Sequence, residues 1–132
     1  MRTNRFSNVA STYDEHAEPQ RALADSLSRI MPDCKPDQIL EIGSGTGILT
    51  QLLIDRYPSS KIHGIDISTN MINLCKKRFS DTKISFELSD VLAYSHSNSY
   101  DLIASSSTLH WTNNLLFTLN KIYENLKPNK FF

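Results

Sequence analysis

Four residues in one short stretch have the types and spacing of a ligand site: Glu41, Gly43, Gly45 and Gly47. Glycines at alternate positions let the chain turn sharply and leave bare backbone for a ligand to close against, and the N–H groups that open a helix attract negative charge. A dinucleotide turn needs the pattern G-x-G-x-x-G, yet the position of its third glycine is Ile48. Glu41 points further from a diphosphate, because a carboxylate two residues before the first glycine favours a cationic ligand. Asp66, 19 residues beyond Gly47, can accept hydrogen bonds from both hydroxyls of a ribose. It supports a nucleoside without choosing one. Asp90 ends a third segment, either as another acid for the same ligand or as the cap of the turn behind it.

These acids share a crevice only if the segments carrying them are parallel strands of one open sheet. Apolar spacing predicts such a sheet. Residues 38–42 are a buried strand, and Ile48, Leu49, Leu52 and Leu53 mark one face of the helix after the glycine turn. Lys61 to Asp66 form a second strand. Ser68 is an N-cap for a helix with Met71, Leu74, Cys75 and Phe79 inward and Lys76, Lys77 and Arg78 toward water. Residues 83–88 alternate as a third strand, and Tyr100 to Ser105 form a fourth. A last helix, capped by Asn113 or Asn114, carries Leu115, Leu116, Leu119, Ile122, Tyr123 and Leu126 as its apolar stripe and stops at Pro128. Ahead of the sheet, Phe6, Val9, Ala10 and Tyr13 have helical spacing, and a further helix runs from Pro19 to about Met31.

With 132 residues, 39% hydrophobic and 21% charged, the chain suits one globular domain. Its formal net charge of zero argues against nucleic acid as a partner. No apolar run approaches the roughly 18 residues of a membrane span, and no signal-type core follows Met1, so a cytoplasmic location without membrane contact is expected. Cys34 and Cys75 have no C-x-x-C partner, and no metal site is expected.

The stretch from Glu41 to Gly47 resembles the class I S-adenosylmethionine-dependent methyltransferases, whose first motif, E/D-x-G-x-G-x-G, is matched at every defined position. The resemblance implies an α/β, Rossmann-like methyltransferase fold, three αβα layers around a parallel sheet, with S-adenosyl-L-methionine as cofactor. It implies cofactor contacts from Glu41, Gly43, Gly45 and Gly47, from Asp66 and Ile67 after strand two, and from Ser105 at the end of strand four. In that family the acid at Asp90 binds the adenine amino group and the next backbone amide, that of Val91, meets the ring. His110-Trp111 stands where carboxyl-methylating members carry an aromatic dipeptide. The spacing of Phe6, Tyr13, Asp14, His16, Ala17 and Gln20 is similar to a narrower group that methylates malonyl-acyl-carrier protein in biotin synthesis or, more distantly, trans-aconitate.

Tyr13, His16, His110 and Trp111 are therefore the substrate-pocket candidates, although a lone histidine or tryptophan is more often a packing residue. The implied acceptor is a small carboxylic acid or an acyl-carrier-protein thioester. A carboxylate is already ionised at neutral pH and needs no general base, so the absence of an acid–base dyad fits, and no residue stands out as catalytic. Arg2, Arg5, Arg21, Arg29 and the run from Lys76 to Arg78 could face an acidic carrier, or simply water.

The resembled sheet has seven strands in the order 3-2-1-4-5-7-6. Residues 1–36 correspond to a helical lid region and 37–132 to the cofactor-binding core, ending where Phe131-Phe132 opens strand five. Strand four is then expected at the edge of the sheet, where unpaired backbone groups invite self-association. Two other readings stand beside methyl transfer: a cofactor-binding fragment without turnover, and a nicotinamide-dependent oxidoreductase, against which Ile48 and Glu41 both count.

Overall fold

A computed structural model describes residues 22, 25–27, 29–80, 83–97, 99–105 and 114–131. Five strands, β1 (Gln38–Ile42), β2 (Lys61–Asp66), β3 (Ile84–Leu88), β4 (Tyr100–Ser105) and β5 (Leu126–Phe131), form one sheet in the order β3-β2-β1-β4-β5. Every neighbouring pair is parallel. Three helices join them: α1 (Ile48–Arg56) follows β1, α2 (Thr69–Arg78) follows β2, and α3 (Leu115–Asn125) follows β4. None of the described helices is long and apolar enough to cross a membrane.

The central strand shows why the sheet forms. Parallel strands covered on both faces bury nearly every side chain, and Ile39, Leu40, Glu41 and Ile42 are all buried. Alternation then sorts them. Ile39 lies in register with Ile62 on one side and Leu102 on the other, and this row packs under Leu49 and Leu53 of α1. Leu40 faces the opposite layer with Ile103, Ile65, Tyr94 and Ile122. Each fully buried aliphatic side chain of this kind contributes about 1.5–3 kcal/mol relative to exposure. Among the described residues of the β3–β4 crossing, 89–97 and 99, none is helical; Val91 and Tyr94 cover the sheet themselves.

Asp101 staples the other end of the sheet. One carboxylate oxygen accepts from the backbone N–H groups of Asp37 (3.1 Å) and Gln38 (3.0 Å), and the other meets the Lys127 ammonium at 3.1 Å. It thereby joins the starts of β1, β4 and β5. Burial alone would push its carboxyl up, but the Gln38 N–H and Lys127 outweigh that and hold it below the ordinary aspartate range.

The end of the chain departs from expectation. The last helix stops at Asn125, three residues before Pro128, and β5 begins at Leu126 rather than at Phe131. Because β5 pairs with β4, strand four is not the edge, and the expected self-association through it loses its basis. Leu126 is drawn into the core opposite Tyr100, and the pairing then slips, so that Leu102 meets Phe131. Pro128 sits inside this slip, where its missing N–H costs the ladder nothing. Asn114, not Asn113, caps α3, accepting from the Phe117 N–H at 3.0 Å. The expected apolar stripe of α3 is only half inward: Ile122 is buried, while Leu115, Leu116 and Tyr123 are exposed. Thr118 and Asn125 take their places inside because helix carbonyls satisfy them, Thr118 at Asn114 O (2.9 Å) and Asn125 at Lys121 O (2.9 Å).

Asp101→Asn should lower the free energy of unfolding by about 2 kcal/mol at pH 7, the scale of hydrogen bonds to a charged group. Because the folded carboxyl titrates below its unfolded value, this contribution is present above the ordinary aspartate pKa and lost as the pH falls through the folded one. Urea unfolding at pH 7 and pH 3 should therefore show the wild type and the variant converging in acid.

Candidate functional site

The stretch after β1 turns back on β2 before it enters α1. The Gly43 and Ser44 N–H groups both donate to Ile65 O, at 2.8 and 3.1 Å, so the turn is carried by the neighbouring strand. The Gly45 N–H donates to Asp66 Oδ2 at 2.9 Å, and the Gly47 N–H closes on Ser44 O at 3.0 Å. Two glycines are needed for different reasons. Gly45 has φ +56° and a Cβ there would meet nothing within 4 Å, so bare backbone faces open space. Gly47 has φ +97° and a Cβ there would run into the Phe79 ring.

Asp66 serves this turn first. Its Oδ1 accepts from the Ser68 N–H at 2.9 Å while Oδ2 holds Gly45, and with the Ile67 N–H beside them not all of its lone pairs are taken. Partial burial pushes its carboxyl up, and the backbone donors pull the other way without prevailing. Ser68 is the N-cap expected of it, accepting from the Met71 N–H at 3.3 Å. Beside Asp66, Ile67 stands 40% exposed, an apolar side chain at the rim of the crevice.

Glu41 lies beneath the turn, not at its mouth. It is 1% exposed, and its Oε1 accepts a hydrogen bond from the Thr50 hydroxyl on α1. Its Oε2 is buried with no partner. Burial pushes this carboxyl up to about 8, the Thr50 hydroxyl pulls it down, and nearby Asp66 raises it further, so Glu41 holds a proton at pH 7. A buried carboxyl with one oxygen unspoken for is costly and suits a polar or cationic partner arriving from outside.

Strand three ends beside this group, its continuation tied by the Ser89 N–H to Asp66 O at 2.9 Å. Asp90 does cap the following turn: Oδ1 accepts from the Leu92 N–H at 2.9 Å and its carbonyl from Ala93 and Tyr94. Its side chain is exposed, whereas that of Val91 is in the core. Ser105 ends β4 with its hydroxyl donating to Ile42 O at 3.1 Å. Glu41, Gly43, Gly45, Gly47, Asp66, Ile67 and Ser105 are thus gathered where β1, β2 and β4 end, with Asp90 and Val91 beyond β3. Tyr13, His16, His110 and Trp111 lie outside the described residues. Among the described residues no group of three or more His, Cys, Asp or Glu could hold a metal ion.

Sequence reasoning missed Thr50, Cys75, Arg78 and Phe79, all in contact with the turn or its acid. Thr50 left a trace, a polar residue next to Leu49 on the inward face of α1. Arg78 left none, since its neighbours Lys76 and Lys77 face water.

A family model described as "Methyltransferase domain" matches residues 39–129. A malonyl-[acyl-carrier protein] O-methyltransferase from Priestia megaterium is 41% identical over 127 residues, covering 94% of this chain and 46% of that protein. The chain spans about half the length of the curated relatives it matches. A putative methyltransferase solved with the Haloferax volcanii Trm112 activator superposes with a TM-score of 0.85 at 21% identity, over 96% of this chain and 57% of that one. A phosphoethanolamine N-methyltransferase 2 from Haemonchus contortus, solved with S-adenosylhomocysteine and phosphomonomethylethanolamine, gives 0.77 at 24%, over 98% of this chain and 32% of that one. With its parallel sheet, its glycine turn at the switch between β1 and β4, and this match over most of its length, the chain belongs to the methyltransferase domain family.

Proposed function

We propose that the crevice binds S-adenosyl-L-methionine and that the protein transfers its methyl group to a carboxylate, that of malonyl-acyl-carrier protein. The observation that carries the cofactor is the pairing of an unpartnered, buried Glu41 oxygen with open space above Gly45. Both suit the amino-acid end of a ligand bearing an ammonium and a sulfonium. Asp66 has lone pairs left for ribose hydroxyls, Ile67 offers an apolar surface to the flat base, and Asp90 and the Val91 amide stand at the end of β3 to meet its edge. The acceptor is supported by relatives named malonyl-[acyl-carrier protein] O-methyltransferase.

The bound cofactor supplies an electrophilic methyl group for in-line displacement. The chain's own contribution is alignment: the glycine turn fixes one end of the donor and Asp66 its middle, so that donor and acceptor meet in one geometry. A carboxylate acceptor arrives ionised, and no residue has to remove a proton.

Calorimetric titration with S-adenosylhomocysteine should show binding by the wild type, and loss of it in Asp66→Ala. Gly45→Ala should lose binding while costing only about 1 kcal/mol of stability, because its Cβ fills the ligand's space and not the protein's. A wild type that is folded and binds nothing would sink the reading.

The pH dependence has a definite sign. An ammonium beside Glu41 favours the carboxylate, so binding releases the proton held there. Affinity should rise with pH toward about 8, by up to about tenfold per unit below that value, and Glu41→Gln should flatten the rise. Stability of the ligand-free protein moves oppositely. The folded pKa of Glu41 lies above the ordinary value of 4.5, so its contribution is complete below that and lost as the pH rises through about 8. Thermal midpoints measured at pH 6 and pH 8.5 should separate for the wild type and not for Glu41→Gln.

A further inference from the structure

The glycine turn has a back as well as a front, and the last turn of α2 packs against that back. Cys75 Sγ donates to Gly45 O at 3.0 Å, Arg78 Nη1 donates to Thr46 O at 2.7 Å, and the Phe79 ring stands where a side chain at Gly47 would go. Cys75, Arg78 and Phe79 therefore meet three consecutive residues of the turn, in order. The contacts brace one another. The Phe79 N–H closes on Cys75 O at 2.9 Å, the Arg78 guanidinium lies over the Phe79 ring at 5.8 Å, and Phe79 leans on Phe86 of β3 with ring centres 5.9 Å apart.

A trans peptide is planar, with its carbonyl and its N–H pointing opposite ways. Drawing the Gly45 and Thr46 carbonyls toward α2 fixes the planes of the two peptides that follow Gly45 and Thr46. The Gly47 N–H at Ser44 O already holds the second plane from within the turn, and the carbonyl contacts add a restraint that glycines, lacking a side chain, do not supply. Arg78 is an exposed side chain, and contacts of exposed charges contribute little to folding. Its guanidinium is nevertheless committed to a backbone carbonyl of the turn, where a neutral acceptor and a charged donor make a strong, directional bond.

Resting on the reading of the crevice given above, we propose that Arg78, with Cys75 and Phe79, is a positioning residue. It presets the glycine turn from behind for the amino-acid end of the cofactor and makes no contact with the nucleoside end, which Asp66 and Ile67 serve.

Two ligands separate this from a general structural role. S-adenosylhomocysteine carries the amino-acid end, whereas 5′-methylthioadenosine shares the adenosine and the sulfur but lacks it. Titrated into the purified protein, Arg78→Ala should bind S-adenosylhomocysteine about tenfold more weakly, the scale of one charge-assisted hydrogen bond, and 5′-methylthioadenosine as the wild type does. Arg78→Lys should recover part of the loss, and Cys75→Ala, which removes the neighbouring donor, should repeat the split. The clamp is overturned if the wild type binds both ligands and Arg78→Ala weakens both equally or neither. A wild type that binds neither overturns the crevice reading itself, and the clamp with it.

Discussion

The hydrogen bonds from the turn to the second strand are the constraint on which the site depends. Gly43 and Ser44 both reach Ile65 O, and Gly45 reaches the Asp66 carboxylate one residue further on. Glycine has more conformations to lose than any other residue, so the shape of a turn holding three of them has to be imposed from outside. β2 imposes it along one side and the end of α2 along another. What remains open is the surface over Gly45.

That arrangement explains why an ionisable group can be buried beneath the turn. Glu41 belongs to the central strand, whose other inward residues are Ile39, Leu40 and Ile42, and an apolar residue in its place would pack without difficulty. Keeping a carboxyl there costs folding free energy, reduced but not removed by Thr50. Such a cost is tolerated where a ligand restores what folding gave up. Asp66, with both oxygens already holding backbone, is a different kind of acid, as much a part of the turn's frame as of any ligand contact.

The parallel strands were legible because two-sided burial writes itself into composition. The apolar pattern and the structure give the same bounds at residues 38–42, 61–66 and 100–105, and differ by one residue at the start of the third strand. The end of the chain was not legible, because what decides it is remote in sequence. Pro128 reads locally as a helix stop, yet the helix ends at Asn125, whose amide and carbonyl reach Tyr94 O and the Ser99 N–H, and Lys127 finds Asp101. Spacing brings Glu41, the glycines and Asp66 to one end of the sheet, as the structure does, but does not reveal that Glu41 lies under the turn. Periodicity places a residue on a face; it does not reveal which neighbour from another element takes its hydrogen bond. Thr50, Cys75 and Arg78 were hidden for that reason.

The Asp101 staple has a consequence for how the chain acquires its shape. It joins residues 63 apart in sequence, and β4 is the neighbour that completes the second side of β1. During synthesis β1 and β2 emerge together and can pair at once, but the opposite flank of β1, apolar on both faces, must wait for residues 100–105. Contacts that close so long a loop form late and slow the overall rate. Until then the central strand is itself an open edge, and the nascent chain is most exposed to mispairing at a strand that the finished molecule buries almost completely.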